Sequence, residues 1–199
     1  MNWTVITDFG DAAVTVPIAL AIGAWLTVSR AWRSALMWLS LFGAGAFLVI
    51  CTQVAYAGWG ISVRQLDFTE ISGHAMGASS VLTVAGYFIG ARHSKTAATI
   101  AGTLGYCAGV LIGISRVILG DHSPSEIVAG VALGGSIALT TIGVVRVSLN
   151  MVAAPIIFAL TILVLVVTLH GHRAPSHRFV VRVALYLSGR STPFVRDSR

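Results

Sequence analysis

The chain has 199 residues, of which 56% are hydrophobic and only 10% charged, and its mean hydropathy is +0.86. Soluble domains carry about 25% charged residues, so the composition excludes an ordinary cytosolic enzyme, a disordered chain and a nucleic-acid-binding module. The net charge of +6 does not restore nucleic acid as a partner, because residues 171–199 hold six arginines and one aspartate while residues 1–170 are nearly balanced. A basic flank on an apolar body meets lipid headgroups instead.

Taken in order, the first eleven residues have no basic stretch and contain Asp8 and Asp11, so no cleavable signal peptide is expected. Uncharged runs then cover 12–29, 34–63, 75–91, 96–115, 127–145 and 147–169. A spanning helix needs about 20 apolar residues, within a range of roughly 17–25. Six spans therefore fit. The second run is too long for one span, and its helix is expected to stop near Tyr56, ahead of Ala57-Gly58-Trp59-Gly60. The runs are continuous rather than alternating, which argues against strands. The expectation is an all-α, polytopic membrane helical bundle of about six transmembrane helices over 1–170. A basic amphipathic tail follows over 171–199. In it Arg178 and Arg182 share one helical side and Phe179, Val180, Val183 and Leu187 another, the pattern of an interfacial helix. The tryptophans mostly fall near span ends, as interfacial belts do. Cys51 and Cys107 lie in apolar runs without metal-ligand or redox spacing.

Loop charges orient the bundle. Arg30, Arg33, Arg92, Lys95 and Arg146 follow spans 1, 3 and 5, whereas the connections after spans 2 and 4 carry only Arg64 and Arg116. The positive-inside rule places the N-terminus and those two connections outside. Six spans also place the arginine-rich tail outside, against the same rule, so either the tail lies on the outer surface or the sixth run does not cross.

Polar residues collect in two segments, 64–74 and 115–126, which span parity puts on one membrane face. Ionisable groups near a membrane are costly and mark function by default. Arg64 and Arg116 suit an oxyanion such as phosphate. Ser72-Gly73-His74 opens a helix, whose free N–H groups also favour an anion. One histidine can attack phosphorus and a second can protonate the leaving oxygen. Four residues separate His122 from Glu126, so both side chains share a helix face, and the carboxylate would orient the imidazole. No metal set is apparent, since two lone histidines make a poor zinc site.

Ser115-Arg116-x5-His122-x3-Glu126 resembles the third motif, S-R-x5-H-x3-D, of the type 2 phosphatidic acid phosphatase superfamily. Ser72-Gly73-His74 is similar to its second motif, P-S-G-H. Glu126 stands in place of the family Asp and Ile71 in place of the Pro. The first motif, K-x6-R-P, is degraded: Arg64 is the candidate for its Arg, Gln65 follows it, and Ala57 replaces the Lys, with neutral Gln53 the nearest polar alternative.

The resemblance implies an integral membrane lipid phosphatase without a cofactor. His122 would form a phosphohistidine, Glu126 would orient it, and His74 would serve as acid and then base. Arg116 and Arg64 would hold the phosphoryl oxygens, with Ser72 and Gly73 donating from the helix start. Substrates would be lipid phosphates or pyrophosphates: undecaprenyl pyrophosphate, phosphatidic acid or phosphatidylglycerol phosphate. The site would face the periplasm or exterior of a bacterial inner membrane. The missing Lys and the Glu126 change keep open a non-hydrolytic lipid-phosphate binding protein or a lipid phosphotransferase of the same fold. A small transporter ranks lower, because the spans hold almost no polar groups at mid-depth. Serine proteolysis through Ser72 lacks a nucleophile motif.

Overall fold

Uncharged runs bounded by capping side chains become helices. The protein is described here by a computed structural model covering residues 2–144 and 155–196. The helices are α1 (Trp3–Asp8), α2 (Ala12–Val28), α3 (Trp32–Trp59), α4 (Gly73–Ala91), α5 (Lys95–Ile118), α6 (Pro124–Val144), α7 (Pro155–Leu169) and α8 (Ser176–Ser188). Each of the six uncharged runs carries one of α2 to α7. The start of the sixth run, and Arg146 used above for orientation, lie outside the described residues. No strand occurs among the described residues, where Val63 and Phe68 make one isolated antiparallel bridge. The chain is an all-α membrane bundle.

Side-chain caps set where helices begin. Asn2, Asp11, Ser72 and Ser94 each accept a hydrogen bond from a backbone N–H of the first turn that follows. The end of α3 falls at Trp59 rather than near Tyr56, because the chain remains helical until Gly60, whose φ of 69° closes it in the left-handed region.

Among the described residues, four segments are long and apolar enough to cross a membrane: Trp3–Val28, Trp32–Trp59, Lys95–Ile118 and Pro124–Val144. α4 and α7 complete the bundle. α4 is the central helix, with thirteen of its 19 residues buried, against α2, α3, α5 and α6. Sheltered from lipid, it tolerates hydroxyls: Ser79 donates to the carbonyl of Ala75 (2.6 Å) and Ser80 to that of Gly77 (2.9 Å). Among the described residues α7 is an apolar helix of 15 residues.

Small residues allow close approach of α5 to α4, since a Cβ on Gly109 would lie 2.5 Å from the Ser79 Cα. Trp38 is not part of an interfacial belt. It is fully buried and donates from its indole N–H to the Ala19 carbonyl at 2.8 Å, which joins α3 to α2. Cys51 and Cys107 are exposed on the outside of the bundle.

α7 returns toward the polar end. Phe158, near its start, stacks on Trp25 in the last turns of α2. His170, just past its end, stacks on Phe9 between α1 and α2. The tail then lies at that same end. Val180 and Ala184 of α8 are buried against Val54 and Ala57 near the end of α3, with Val183 beside them. Phe179 and Leu187 point outward instead, so the apolar face read from the sequence is divided between α3 and the exterior.

Candidate functional site

The site is built on the first turn of α6. Ser123-Pro124-Ser125-Glu126 forms a reciprocal cap: the Glu126 amide donates to Ser123 Oγ (3.4 Å), and the Ser123 amide donates to Glu126 Oε2 (3.1 Å). Proline in the first helical position suits this turn. The same Oε2 lies 2.7 Å from His122 Nδ1. With Nδ1–H donated to the carboxylate, Nε2 is the ring nitrogen of His122 that keeps its lone pair.

Glu126 is completely buried. Its other oxygen, Oε1, accepts from the Thr69 amide (2.8 Å), the Thr69 hydroxyl (2.6 Å) and a guanidinium N–H of Arg196 (2.5 Å). A buried carboxylate persists only when paired and hydrogen-bonded in this way. The Glu126 carbonyl accepts the Ser72 amide at 3.3 Å, which ties the start of α4 to the start of α6.

His122 lines a groove of about 800 Å³ together with Gln53, Tyr56, Glu70, His177 and Arg196. Gln53, the neutral residue closest to the position of the missing Lys, therefore does face the site. Glu70 is largely buried there. Burial above all, and the negative charge of Glu126, raise its pKa, against the opposing influence of His122, His177 and Arg196.

On the other side of His122, toward α1, lie Arg116 and His74. Arg116, in the last turn of α5, pairs with Asp121 (3.0 Å) and reaches the Thr7 hydroxyl (3.4 Å). His74 Nε2 is 3.8 Å from Asp11 Oδ2 and feels the charges of Arg116, His122 and Arg173. Asp11 is itself fixed, because its Oδ1 accepts from the amides of Ala13 (2.8 Å) and Ala174 (2.9 Å). Among the described residues, the buried Nε of Arg116 and that of Arg196 find no hydrogen-bond partner. Two guanidinium groups thus keep an unused donor each, as an oxyanion would require.

The structure gathers His74, Arg116, His122 and Glu126 into one cluster. Arg64 stands apart, exposed on a short 3₁₀ turn (Arg64–Leu66) and lining an adjoining groove of about 630 Å³ that shares Thr69 and Arg196. Ser72 is fully buried and its hydroxyl caps α4 by accepting from the Ala75 amide. Gly73 turns toward α3, where a Cβ would sit 3.4 Å from Val49. Among the described residues no group of three His, Cys, Asp or Glu side chains is placed to hold a metal ion.

Sequence reasoning missed Thr69, Asp11 and Arg196. Thr69 lies within a segment already singled out, and Ser123-x-x-Glu126 is a legible capping signal. Asp11 and Arg196 carry no local signal, since each reaches the cluster only through the tertiary path of the chain.

The profile of the PAP2 superfamily matches residues 62–150. Phosphatidylglycerophosphatase B of Bacillus subtilis (strain 168) is 31% identical over 141 residues, covering 66% of this chain and 68% of that protein. The chain belongs to the PAP2 superfamily. An uncharacterized 22.5 kDa protein in the cps region of Klebsiella pneumoniae is 29% identical over 201 residues, covering 98% of this chain and 96% of that protein. No solved structure matches the chain. The residues matched by the PAP2 profile include Arg64, Ser72, Gly73, His74, Arg116, His122 and Glu126. Asp11 and Arg196 fall outside them.

Proposed function

We propose that this PAP2 superfamily protein is a membrane-embedded lipid phosphatase that works through a phosphohistidine. The observation that carries the reading is the buried His122–Glu126 pair, which holds His122 through Nδ1 in the wall of a groove that Arg196 also lines. Family membership and the likeness to phosphatidylglycerophosphatase B support a phosphatase acting on lipid.

In the first step His122 Nε2 attacks phosphorus and the bond from phosphorus to the leaving oxygen breaks. His74 gives that oxygen its proton, and Glu126 balances the charge on the imidazole. In the second step water attacks the phosphohistidine, neutral His74 takes a proton from the water, and the P–N bond breaks to release inorganic phosphate. Arg116 holds the phosphoryl oxygens, and Arg64 on the neighbouring rim meets the rest of the headgroup. Ser72 and Gly73 contribute by fixing the α4 start under His74. No metal takes part in this scheme. The substrate is a lipid phosphate such as phosphatidylglycerol phosphate or phosphatidic acid, or a lipid pyrophosphate such as undecaprenyl pyrophosphate. Loop charges support a site on the outer face of a bacterial inner membrane.

The test is phosphate release by purified protein in detergent, across a panel of those lipids, with EDTA present. Release should persist in EDTA and fall by about 10³-fold or more in His122→Ala. Release that EDTA abolishes would overturn metal independence. A folded wild-type protein that releases no phosphate would overturn hydrolysis. The neutral Gln53 beside the groove would then favour binding or transfer to a lipid acceptor.

A further inference from the structure

The tail reaches the site by a defined route. α8 lies on the end of α3 through Val180 and Ala184, the Phe194 amide donates to the Ala57 carbonyl at 2.9 Å, and the guanidinium of Arg190 stacks on the Phe194 ring. This path delivers Arg196 to Glu126. Arg196 Nη2 also donates to the Asp67 carbonyl (3.2 Å) and the Thr69 hydroxyl (3.3 Å), so the guanidinium is anchored on the same loop that holds the carboxylate.

We propose that Arg196 is a positioning residue whose fixed positive charge neutralises Glu126, so that this charge need not come from a protonated His122. The proposal rests on the phosphohistidine reading above. Glu126 is buried and anionic and has two cationic candidates, one on each oxygen. The guanidinium is always charged, whereas the imidazole is either cationic or nucleophilic but not both. With Arg196 in place the carboxylate can orient His122 through Nδ1–H without holding a second proton on the ring. Without it, Glu126 draws that proton onto Nε2 and blocks the attacking lone pair.

The other ionisable groups facing His122 do not substitute. Asp121, next to it in sequence, already pairs with Arg116. Glu70, on the 67–72 loop, is acidic, while His74 on α4 and His177 on α8 are imidazoles that lack a permanent charge. Arg196 thus returns to the site, from outside the family-matched region, a fixed cation where the first motif lacks its Lys.

The experiment compares full-length wild type, Arg196→Gln and Arg196→Lys. Two readouts are taken over pH 5–9: kcat/KM for phosphate release from the preferred lipid, and the protonation of His122 followed by NMR of ring-¹⁵N-histidine protein. The Gln variant should hold the His122 proton to higher pH by about one unit, the scale of one neighbouring charge. Its acid limb should move by the same amount, giving about a tenfold loss at low pH that recovers as pH rises. The Lys variant should stay close to wild type. A pH-independent loss with an unmoved His122 titration would overturn the proposal, and a gain of activity in Arg196→Gln would show a plug instead. If the wild type releases no phosphate, the phosphatase reading fails by itself, and the NMR titration still decides the charge relation.

Discussion

Glu126 serves four partner residues from one side chain. Its length lets Oε2 reach back to the Ser123 amide and His122 Nδ1 while Oε1 meets the Thr69 amide and Arg196. An Asp is one methylene shorter, and the capping box prefers Glu at this third position of the helix. The substitution of Glu for the family Asp is therefore matched by its local turn. Glu70 presents the opposite case, a carboxylate that burial penalises. Its folded pKa lies above its unfolded one, so deprotonation costs stability at neutral pH, and that cost disappears as pH falls below the ordinary carboxylate range. Glu70→Gln should accordingly raise Tm in detergent at pH 7 and converge with wild type near pH 4. Equal Tm values at both pH values would contradict the burial argument.

At the scale of elements, α4 is held between α5 and α6 by residues without bulk. Gly109 faces the Ser79 backbone at a distance that no Cβ tolerates, and backbone cannot rotate aside. Gly109→Leu should destabilise the protein by about 1–3 kcal/mol or more, seen as a lower Tm and reduced activity, because α4 carries His74 and the Ser72 cap. Gly143 provides the control, since a Cβ there meets none of the described residues within 4 Å. Gly143→Ala should be neutral or slightly stabilising, through helix propensity. A Gly109→Leu protein as stable as wild type would show that the two helices are not so closely packed. The helices themselves were legible from uncharged runs and caps. The central position of α4 was not, because uncharged composition does not distinguish a lipid-facing helix from a sheltered one.

For the whole molecule, the starts of α2, α4 and α6, the ends of α3, α5 and α7, and the tail all lie at one end. That arrangement requires α7 to run back toward this end. In a protein whose Cys51 and Cys107 are replaced by Ser, single cysteines at Gly120 and Ser191 should react with an impermeant reagent from the same side of the membrane. A cysteine at Ser94 should react from the other side. Reaction of Ser191→Cys and Gly120→Cys from opposite sides would refute the common end.

The sequence by itself determined the fold class and the family. Low charge and long apolar runs demand helices in lipid, because backbone groups there must be satisfied internally. The fixed spacing of Arg116, His122 and Glu126 places them around one helix start, since local geometry follows from local sequence. Only the tertiary structure decided what completes that start. Thr69, Asp11 and Arg196 lie 57, 115 and 70 positions from Glu126, and no periodicity links them to it. The tail, expected from its charge to meet lipid, also carries Arg196 onto a buried carboxylate. Coulomb attraction acts through space, and the path of the folded chain alone sets which charges are brought together.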